Sequence, residues 1–193
     1  MEKNTILNII SILLITTLYF LKDLKEWYKV WRKKNFFNQN VELDIKVEEE
    51  LAIVVAKFGF NRVSIIKYHN GSESFDNFSF NFASMTHEKT DPSTKSIVKE
   101  FQRVPLASYA PVLKKLKESK DGVVRVESDS TTPGVMQGGW GIVESWNFML
   151  TDRVADGILC CVSVHDKMEL TPEEIAELRS ITYKINVYLE RQK

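Results

Sequence analysis

The chain has 193 residues, of which 44% are hydrophobic and 27% are charged, a composition typical of a globular protein with room for one domain beside a short appendage. Its 26 Lys and Arg balance its 26 Asp and Glu, but residues 1–34 carry seven basic and three acidic residues, which leaves residues 35–193 mildly acidic. An acidic domain is repelled by the phosphate backbone, so we expect no nucleic-acid partner.

The N-terminal segment predicts a transmembrane anchor. Residues 5–21 contain no charged residue and are rich in Ile and Leu, a length close to the shortest that spans a bilayer. A cleaved signal peptide is the rival interpretation, but residues 16–22 offer no small-x-small cleavage site. We therefore expect a single-pass membrane protein in which residues 1–21 form the anchor and the lipid bilayer is a partner.

Residues 22–40 predict a basic, aromatic juxtamembrane helix that ends in a polar hinge at residues 35–40. Aromatic residues recur on one helix face, and Lys and Arg surround them. Trp and Tyr favour the headgroup level, and basic residues favour anionic lipid. The alternative is that this face packs on the soluble domain or on a second copy of the chain. The membrane-interface candidates are Trp27, Tyr28, Trp31, Lys33 and Lys34.

The distribution of basic residues predicts the orientation in the membrane. One Lys precedes the apolar stretch, and six Lys or Arg follow it within 13 residues. The flank with more Lys and Arg usually stays inside the cell. We therefore expect the C-terminal domain to lie in the cytoplasm, attached to the inner (plasma) membrane.

Residues 41–193 predict one α+β domain, with a central antiparallel sheet and flanking helices at both ends. Apolar residues at helical spacing predict helices, alternation with polar residues predicts strands, and Gly, Asn and Pro mark the turns. Residues 171–174 (Thr-Pro-Glu-Glu) are typical of a capped helix start. In chain order, the predicted elements are a helix over 47–58, strands over 63–68 and 78–88, a broken helical pattern over 95–120, strands over 123–126, 145–150 and 157–164, and a helix from 171.

The two cysteines of the chain, Cys160 and Cys161, are neighbours within the last predicted strand. Adjacent residues of a strand point to opposite faces, so a disulfide between them is not expected. Burial in the core is favoured over a role as a redox pair.

The chemistry-bearing residues predict a pocket rather than an active site. No phosphate-binding, dinucleotide-binding or nucleophile-elbow motif occurs, and no nucleophile with its base, or pair of carboxylates, indicates catalysis. His69, His87 and Glu88 match no metal-ligand spacing. We expect instead that His87 and Glu88 hydrogen-bond to the turn formed by His69, Asn70 and Gly71, at one end of a pocket. These predictions include no catalytic residue, no metal and no cofactor.

Trp140 completes the set of candidate ligand-binding residues. It stands in a Gly-Gly-Trp-Gly sequence at residues 138–141. No helix pattern begins behind this sequence, so a loop at the rim of a pocket is favoured over a phosphate cradle. Trp140, Trp146, Phe80 and Phe82 could line a cavity, although packing in the core is the favoured interpretation for such residues.

Three segments resemble the GAF domain, a sensory fold related to PAS. They are residues 60–71 with their His-Asn-Gly turn, residues 84–88, and the closing hairpin with its capped helix, which together cover about residues 42–191. The segments resemble in particular the small GAF-like proteins of phages and bacteria that carry this turn. The resemblance implies a GAF/PAS-like fold and a non-enzymatic sensory or regulatory domain that binds a small molecule or a regulatory protein.

The arrangement of anchor, basic flank and soluble domain also resembles the holins of T-even phages, mainly over residues 146–189. This second resemblance implies an alternative function in host-cell lysis, in which the anchor oligomerises into a membrane lesion. The soluble domain of the T-even holin lies in the periplasm, whereas the basic flank here predicts a cytoplasmic domain. Under either function we expect a homo-oligomer.

Overall fold

The computed structural model describes the backbone of residues 2–69, 82–127, 141–151 and 157–192, with side chains from residue 16 onwards. Two compact units divide the chain, Met1–Glu42 and Leu43–Lys193.

Helix α1 spans Glu2–Phe58. Residues 35–40 are helical, although the sequence predicts a hinge there. The helix continues because Asn and Gln cost it only a few tenths of a kcal/mol each, and because neither Gly nor Pro interrupts this stretch. Across the described residues, no helix has the length and apolar character needed to cross a membrane. Much of the predicted anchor over residues 5–21 falls on residues 1–15, whose side chains lie outside the described set.

The described strands form one six-stranded sheet in the order β3-β2-β1-β6-β5-β4. Every neighbouring pair is antiparallel, which confirms the predicted α+β class with a central antiparallel sheet. The strands are β1 Arg62–His69, β2 Phe82–Thr90, β3 Val104–Pro105, β4 Val123–Glu127, β5 Glu144–Met149 and β6 Ile158–Ser163.

The segment between β2 and β4 differs from its predicted helical pattern. Only Ala110–Glu118 forms an α-helix, α2, after a short 3-10 turn at Leu106–Tyr109. Residues 95–103 form loops and turns instead. The main-chain N–H groups of Ile97 and Val98 donate to the Glu88 carboxylate, and the carbonyl of Phe101 accepts from Met85 N at 3.0 Å. Residues 95–118 are called the cover segment below.

Helix α3, Pro172–Glu190, confirms the predicted capped start. The Thr171 hydroxyl accepts a hydrogen bond from Glu174 N at 3.2 Å, and the Glu174 carboxylate accepts one from Thr171 N at 2.8 Å. The end of α1 is also as predicted, because Gly59 follows its last residue with φ +73°, a conformation that favours glycine.

The sheet separates two apolar cores. The first core lies between the sheet and the C-terminal part of α1 together with α3, and the second lies between the sheet and the cover segment. Cys161 belongs to the first core and Cys160 to the second, and both are free thiols. The prediction that the two cysteines are buried on opposite faces is confirmed.

A candidate ligand site in the second core

A cavity of about 30 Å³ lies in the second core, between the sheet and the cover segment. Two neighbouring rows of residues across strands β1, β6 and β5 supply its floor: Arg62 with Val162 and Ser145, and Ser64 with Cys160 and Asn147. One water needs about 10–15 Å³ measured in this way, so the cavity has room for about two water-sized groups. Its cover includes Ile97, Phe101, Tyr109 and Val112.

The floor includes polar residues that are buried. Ser64, Ser145 and Asn147 are each almost fully inaccessible, and they alternate along their strands with residues of the first core. The Ser64 hydroxyl lies 3.4 Å from the Cys160 carbonyl, and Asn147 Nδ2 donates to Ser145 Oγ at 2.9 Å. Buried polar side chains cost free energy unless they are hydrogen-bonded. These side chains bond to the backbone and to one another, so the wall that faces the cavity is mostly apolar.

Arg62 is a lining residue of the cavity, and its guanidinium group is buried. Its side chain is only 3% exposed, and its Nε lies 2.9 Å from Glu88 Oε1, an ion-pair distance without the alignment of a hydrogen bond. Nη2 donates to the Lys95 carbonyl at 2.8 Å. Nη1 is buried and has no hydrogen-bond partner among the residues that the structure describes.

Glu88 connects this arginine to the cover segment. The Glu88 side chain is 3% exposed, and its carboxylate accepts hydrogen bonds from Ile97 N at 3.0 Å, from Val98 N at 3.2 Å and from the Ser96 hydroxyl. Charge-assisted hydrogen bonds of this kind are roughly twice as strong as neutral ones. The buried pair of Arg62 and Glu88 therefore holds the beginning of the cover segment against the sheet.

The other titratable groups in this core are neutral at physiological pH. Burial raises the pKa of the Cys160 thiol to about 12, and burial also raises the pKa values of the Tyr68 and Tyr109 hydroxyls well above their ordinary value. A thiol with so high a pKa carries little of the nucleophilic thiolate. Cys160 is therefore a poor nucleophile.

The structure places His69 and His87 apart. His69 pairs with Phe82 across strands β1 and β2, whereas His87 pairs with Ile65. Ile65 and His69 are four positions apart in β1, so the two histidines are separated by roughly 13 Å along the strands. His69 Nε2 lies 2.8 Å from Ser84 Oγ, and His87 Nε2 lies 3.3 Å from Asp44 Oδ1 of α1.

Of the remaining predicted ligand-binding residues, Glu88 adjoins the cavity through Arg62, while Asn70, Gly71 and Trp140 lie outside the described residues. Trp146 belongs to the first core, as expected for a packed aromatic residue. In the described ranges, no three His, Cys, Asp or Glu residues lie close enough to hold a metal ion.

The sequence analysis did not single out Arg62, Ser64, Ser145 or Asn147. The available signal was the polar residues that alternate with apolar ones in strands β1 and β5. Such alternation usually indicates a strand face exposed to water. Here the cover segment buries that face, and only the tertiary structure shows it.

In the first unit, the predicted membrane-interface residues are exposed on α1. Trp31 stacks against both Trp27 and Tyr28, with ring centroids 6.4 Å and 6.0 Å apart. Lys33 and Lys34 are exposed as well. The aromatic and basic side chains thus form one continuous accessible surface.

Comparisons with known proteins place the fold. No family model matches the chain, and neither does any curated protein. Solved structures do match. The PixJ GAF domain of Thermosynechococcus elongatus in its blue-light absorbing form has a TM-score of 0.56 at 11% identity, over 79% of this chain and 88% of that one.

Two further structures agree. A GAF domain/HD domain protein from Geobacter sulfurreducens has a TM-score of 0.57 at 12% identity, over 79% of this chain and 95% of that one. The far-red absorbing dark state of JSC1_58120g3, which has bound biliverdin IXa, has a TM-score of 0.53 at 10% identity, over 80% of this chain and 98% of that one. The chain is therefore similar to GAF domains in structure, and its fold is GAF-like.

Proposed function

We propose that this chain is a membrane-anchored, non-enzymatic sensory domain that binds a small molecule between its sheet and its cover segment. The observation that carries the proposal is the cavity in the second core, whose mostly apolar wall includes the residues Arg62, Ser64 and Asn147. Ligand sites are concave and mostly apolar, with a few convergent polar groups. The similar structures add support, since one is described as absorbing blue light and another as holding biliverdin.

The proposed ligand is much smaller than a bilin. Pockets for drug-sized ligands enclose about 300–1,000 Å³, whereas this cavity measures about 30 Å³. The described residues therefore do not fit a tetrapyrrole, and we carry over from the similar structures only the idea of a sensory site.

A pair of variants at Ser64 tests the proposal. Ser64→Leu fills the cavity, whereas Ser64→Ala loses the same hydroxyl and leaves the space open. The full chain in detergent micelles is heated with and without compounds of a metabolite library. A ligand present at 100 times its Kd stabilises the folded state by about 2.7 kcal/mol. We expect at least one compound that raises the Tm of the wild type and of Ser64→Ala but not of Ser64→Leu. A library without such a compound would contradict the proposal.

We also propose that residues 5–21 anchor the chain in the membrane, as their sequence predicts. The exposed aromatic and basic residues that follow support this, because they suit the headgroup region. After carbonate extraction, the full chain should remain in the membrane pellet, and a variant lacking residues 1–21 should appear in the supernatant. Ile12→Arg should cost about 2.5–3.5 kcal/mol of insertion free energy. Release of the full chain would overturn the anchor.

The orientation of the domain can be tested with a single new thiol. Cys160 and Cys161 are buried with raised pKa values, so neither native thiol should react with the labelling reagent in the folded protein. A cysteine in the exposed substitution Lys117→Cys should resist an impermeant thiol reagent in intact cells if the domain is cytoplasmic. Rapid labelling would indicate a periplasmic domain.

Lysis is the competing function, and membrane potential separates it from sensing. We expect unperturbed growth when the full chain is expressed at high level in bacteria. Abrupt, timed depolarisation that disappears on deletion of residues 1–21 would favour a holin instead.

A further inference from the structure

We infer that the cavity takes an apolar group of about two heavy atoms, either a small molecule or the end of a larger one, and holds it by van der Waals contact rather than by hydrogen bonds. This inference rests on the proposed sensory function and adds the chemical class of the ligand. Three features of the site carry it: an apolar wall, polar side chains that bond within the protein, and a small volume.

The wall of the cavity is almost wholly apolar. Buried aliphatic and aromatic side chains of the sheet and the cover segment surround it: Ile66, Met85, Ile97, Phe101, Val112 and Val162. Apolar cavities stay dry and bind apolar guests such as benzene or xenon. Such a guest gives the wall the dispersion contacts that a surface facing a void lacks, so the wall favours an apolar ligand.

The polar lining residues of the strands are engaged within the protein. The Ser64 hydroxyl lies 3.4 Å from the Cys160 carbonyl, and Asn147 Nδ2 donates to Ser145 Oγ at 2.9 Å. A ligand hydroxyl or amide would have to break these bonds or remain unpaired, and either outcome costs free energy. The strand residues therefore disfavour a ligand that needs hydrogen bonds.

Arg62 offers no site for an anion. Its Nε lies 2.9 Å from Glu88 Oε1, so the charge of the guanidinium is compensated within the protein. Its Nη1 has almost no surface accessible to a water-sized group and does not open onto the cavity. A carboxylate or phosphate in the cavity would be a buried charge without a counter-charge, which is strongly unfavourable.

The volume sets the size of the group that enters. The cavity measures about 30 Å³, which corresponds to about two water-sized groups. Dioxygen and methanol are suitable probes, because both molecules are of this size and only methanol carries a hydroxyl. Dioxygen is also paramagnetic, so it speeds the relaxation of the nuclei that it contacts. Dinitrogen at the same pressure is the diamagnetic reference.

Methionine methyl groups report occupancy of the site. Met85 lines the cavity and is 4% exposed, whereas Met168 packs against the first core and is half-buried. The full chain in detergent micelles is labelled with ¹³C-methyl methionine, and methyl relaxation is compared under oxygen and nitrogen. We expect the oxygen-induced relaxation to be at least about threefold greater at Met85 than at Met168, although Met168 is the more accessible to oxygen dissolved in the solvent.

A pair of variants separates occupancy of the cavity from diffusion of oxygen through the core. Ser64→Leu fills the cavity, and Ser64→Ala leaves it open. We expect the oxygen-induced relaxation at Met85 to fall to the level of Met168 in Ser64→Leu and to persist in Ser64→Ala. An unchanged Met168 resonance shows that each variant is folded. If Ser64→Leu does not fold, the comparison of Met85 with Met168 in the wild type still decides whether an apolar molecule enters.

A titration with methanol tests the exclusion of polar ligands. We expect no saturable shift of the Met85 methyl resonance, because the hydroxyl of methanol finds no partner in the cavity. Three results would overturn the inference: equal oxygen-induced relaxation at Met85 and Met168, unchanged relaxation at Met85 in folded Ser64→Leu, or a saturable shift of Met85 with methanol.

The proposed function is judged separately, by the metabolite library. A compound that stabilises the wild type and Ser64→Ala but not Ser64→Leu keeps the sensory proposal even when the oxygen experiment fails. A library without such a compound contradicts sensing even when oxygen enters the cavity.

Discussion

Glu144 shows how a single buried charge is accommodated in this domain. Its side chain is fully buried, and its carboxylate accepts hydrogen bonds from Arg125 Nη2 at 2.7 Å and from Trp146 Nε1 at 2.6 Å. Removing one partner of a buried ion pair usually costs about 3–5 kcal/mol. Arg125 is 29% exposed and can regain some water, so we expect Glu144→Ala to lower the free energy of unfolding by about 3 kcal/mol.

Denaturant unfolding of the full chain measures this loss. Glu127→Ala is the matched control, because Glu127 also pairs with Arg125, at 3.7 Å, but is 44% exposed. An exposed pair contributes only about 0.2–1 kcal/mol. Equal losses in the two variants would show that the burial of Glu144 has no energetic consequence.

Asp91 makes the free energy of unfolding of the domain depend on pH in the acidic range. Hydrogen bonds from the Asn61 side chain, and then from Ser93, hold the pKa of Asp91 well below its ordinary value of 3.8. As the pH falls below about 4, the unfolded chain takes up a proton before the folded chain does. The free energy of unfolding should therefore decrease with falling pH. In Asp91→Asn, the slope between about pH 4 and pH 2 should be smaller than in the wild type; identical slopes would contradict this role.

At the scale of elements, Gly157 allows the chain to approach the backbone of β1 closely just before β6 begins. Its φ is +118°, and a Cβ atom at this position would lie 2.6 Å from the Ile66 carbonyl oxygen. Strained backbone costs about 1–3 kcal/mol, and the contact with a carbonyl adds to it. We expect Gly157→Ala to lower the free energy of unfolding by at least about 2 kcal/mol.

Gly141→Ala is the control for this effect. Gly141 has φ +65°, but its Cβ would meet no described atom within 4 Å. This substitution should cost only about 1 kcal/mol, from the backbone conformation alone. Similar losses in both variants would mean that the close approach of Ile66 is relieved by a shift of the strand.

At the scale of the whole molecule, the second unit has apolar residues that face solvent. Ile45 is 53% exposed, Ile53 is 47% exposed and Tyr183 is 68% exposed. Exposed apolar surface on helices is a common basis for association, so we propose that the chain forms a homo-oligomer through these faces. Light scattering of the full chain in detergent should give a protein mass above the 22.3 kDa of one chain.

The double variant Ile45→Lys, Ile53→Lys should shift this mass to that of one chain. Glu49→Lys is the control, because it introduces lysine at an exposed polar position of the same helix, and it should leave the mass unchanged. A monomeric wild type, or a double variant that stays oligomeric, would contradict the proposed interface.

Three local features of this domain could be predicted from the sequence. The end of α1 at Gly59, the cap of α3 at Thr171 and the opposite burial of Cys160 and Cys161 all agree with the structure. Each depends on residues close together in the chain: a glycine that tolerates positive φ, a side chain that reaches a nearby N–H, and the two-residue period of a strand.

The location of the candidate site depends on contacts between segments that are far apart in the chain. Residues 95–103 form loops and turns rather than a helix, and the N–H groups of Ile97 and Val98 donate to Glu88, which lies on a different element. Arg62 and the polar strand positions Ser64, Ser145 and Asn147 are buried where this segment covers the sheet. Long-range hydrogen bonds and burial depend on which segments meet in space, and the spacing of residues along the chain does not encode that directly.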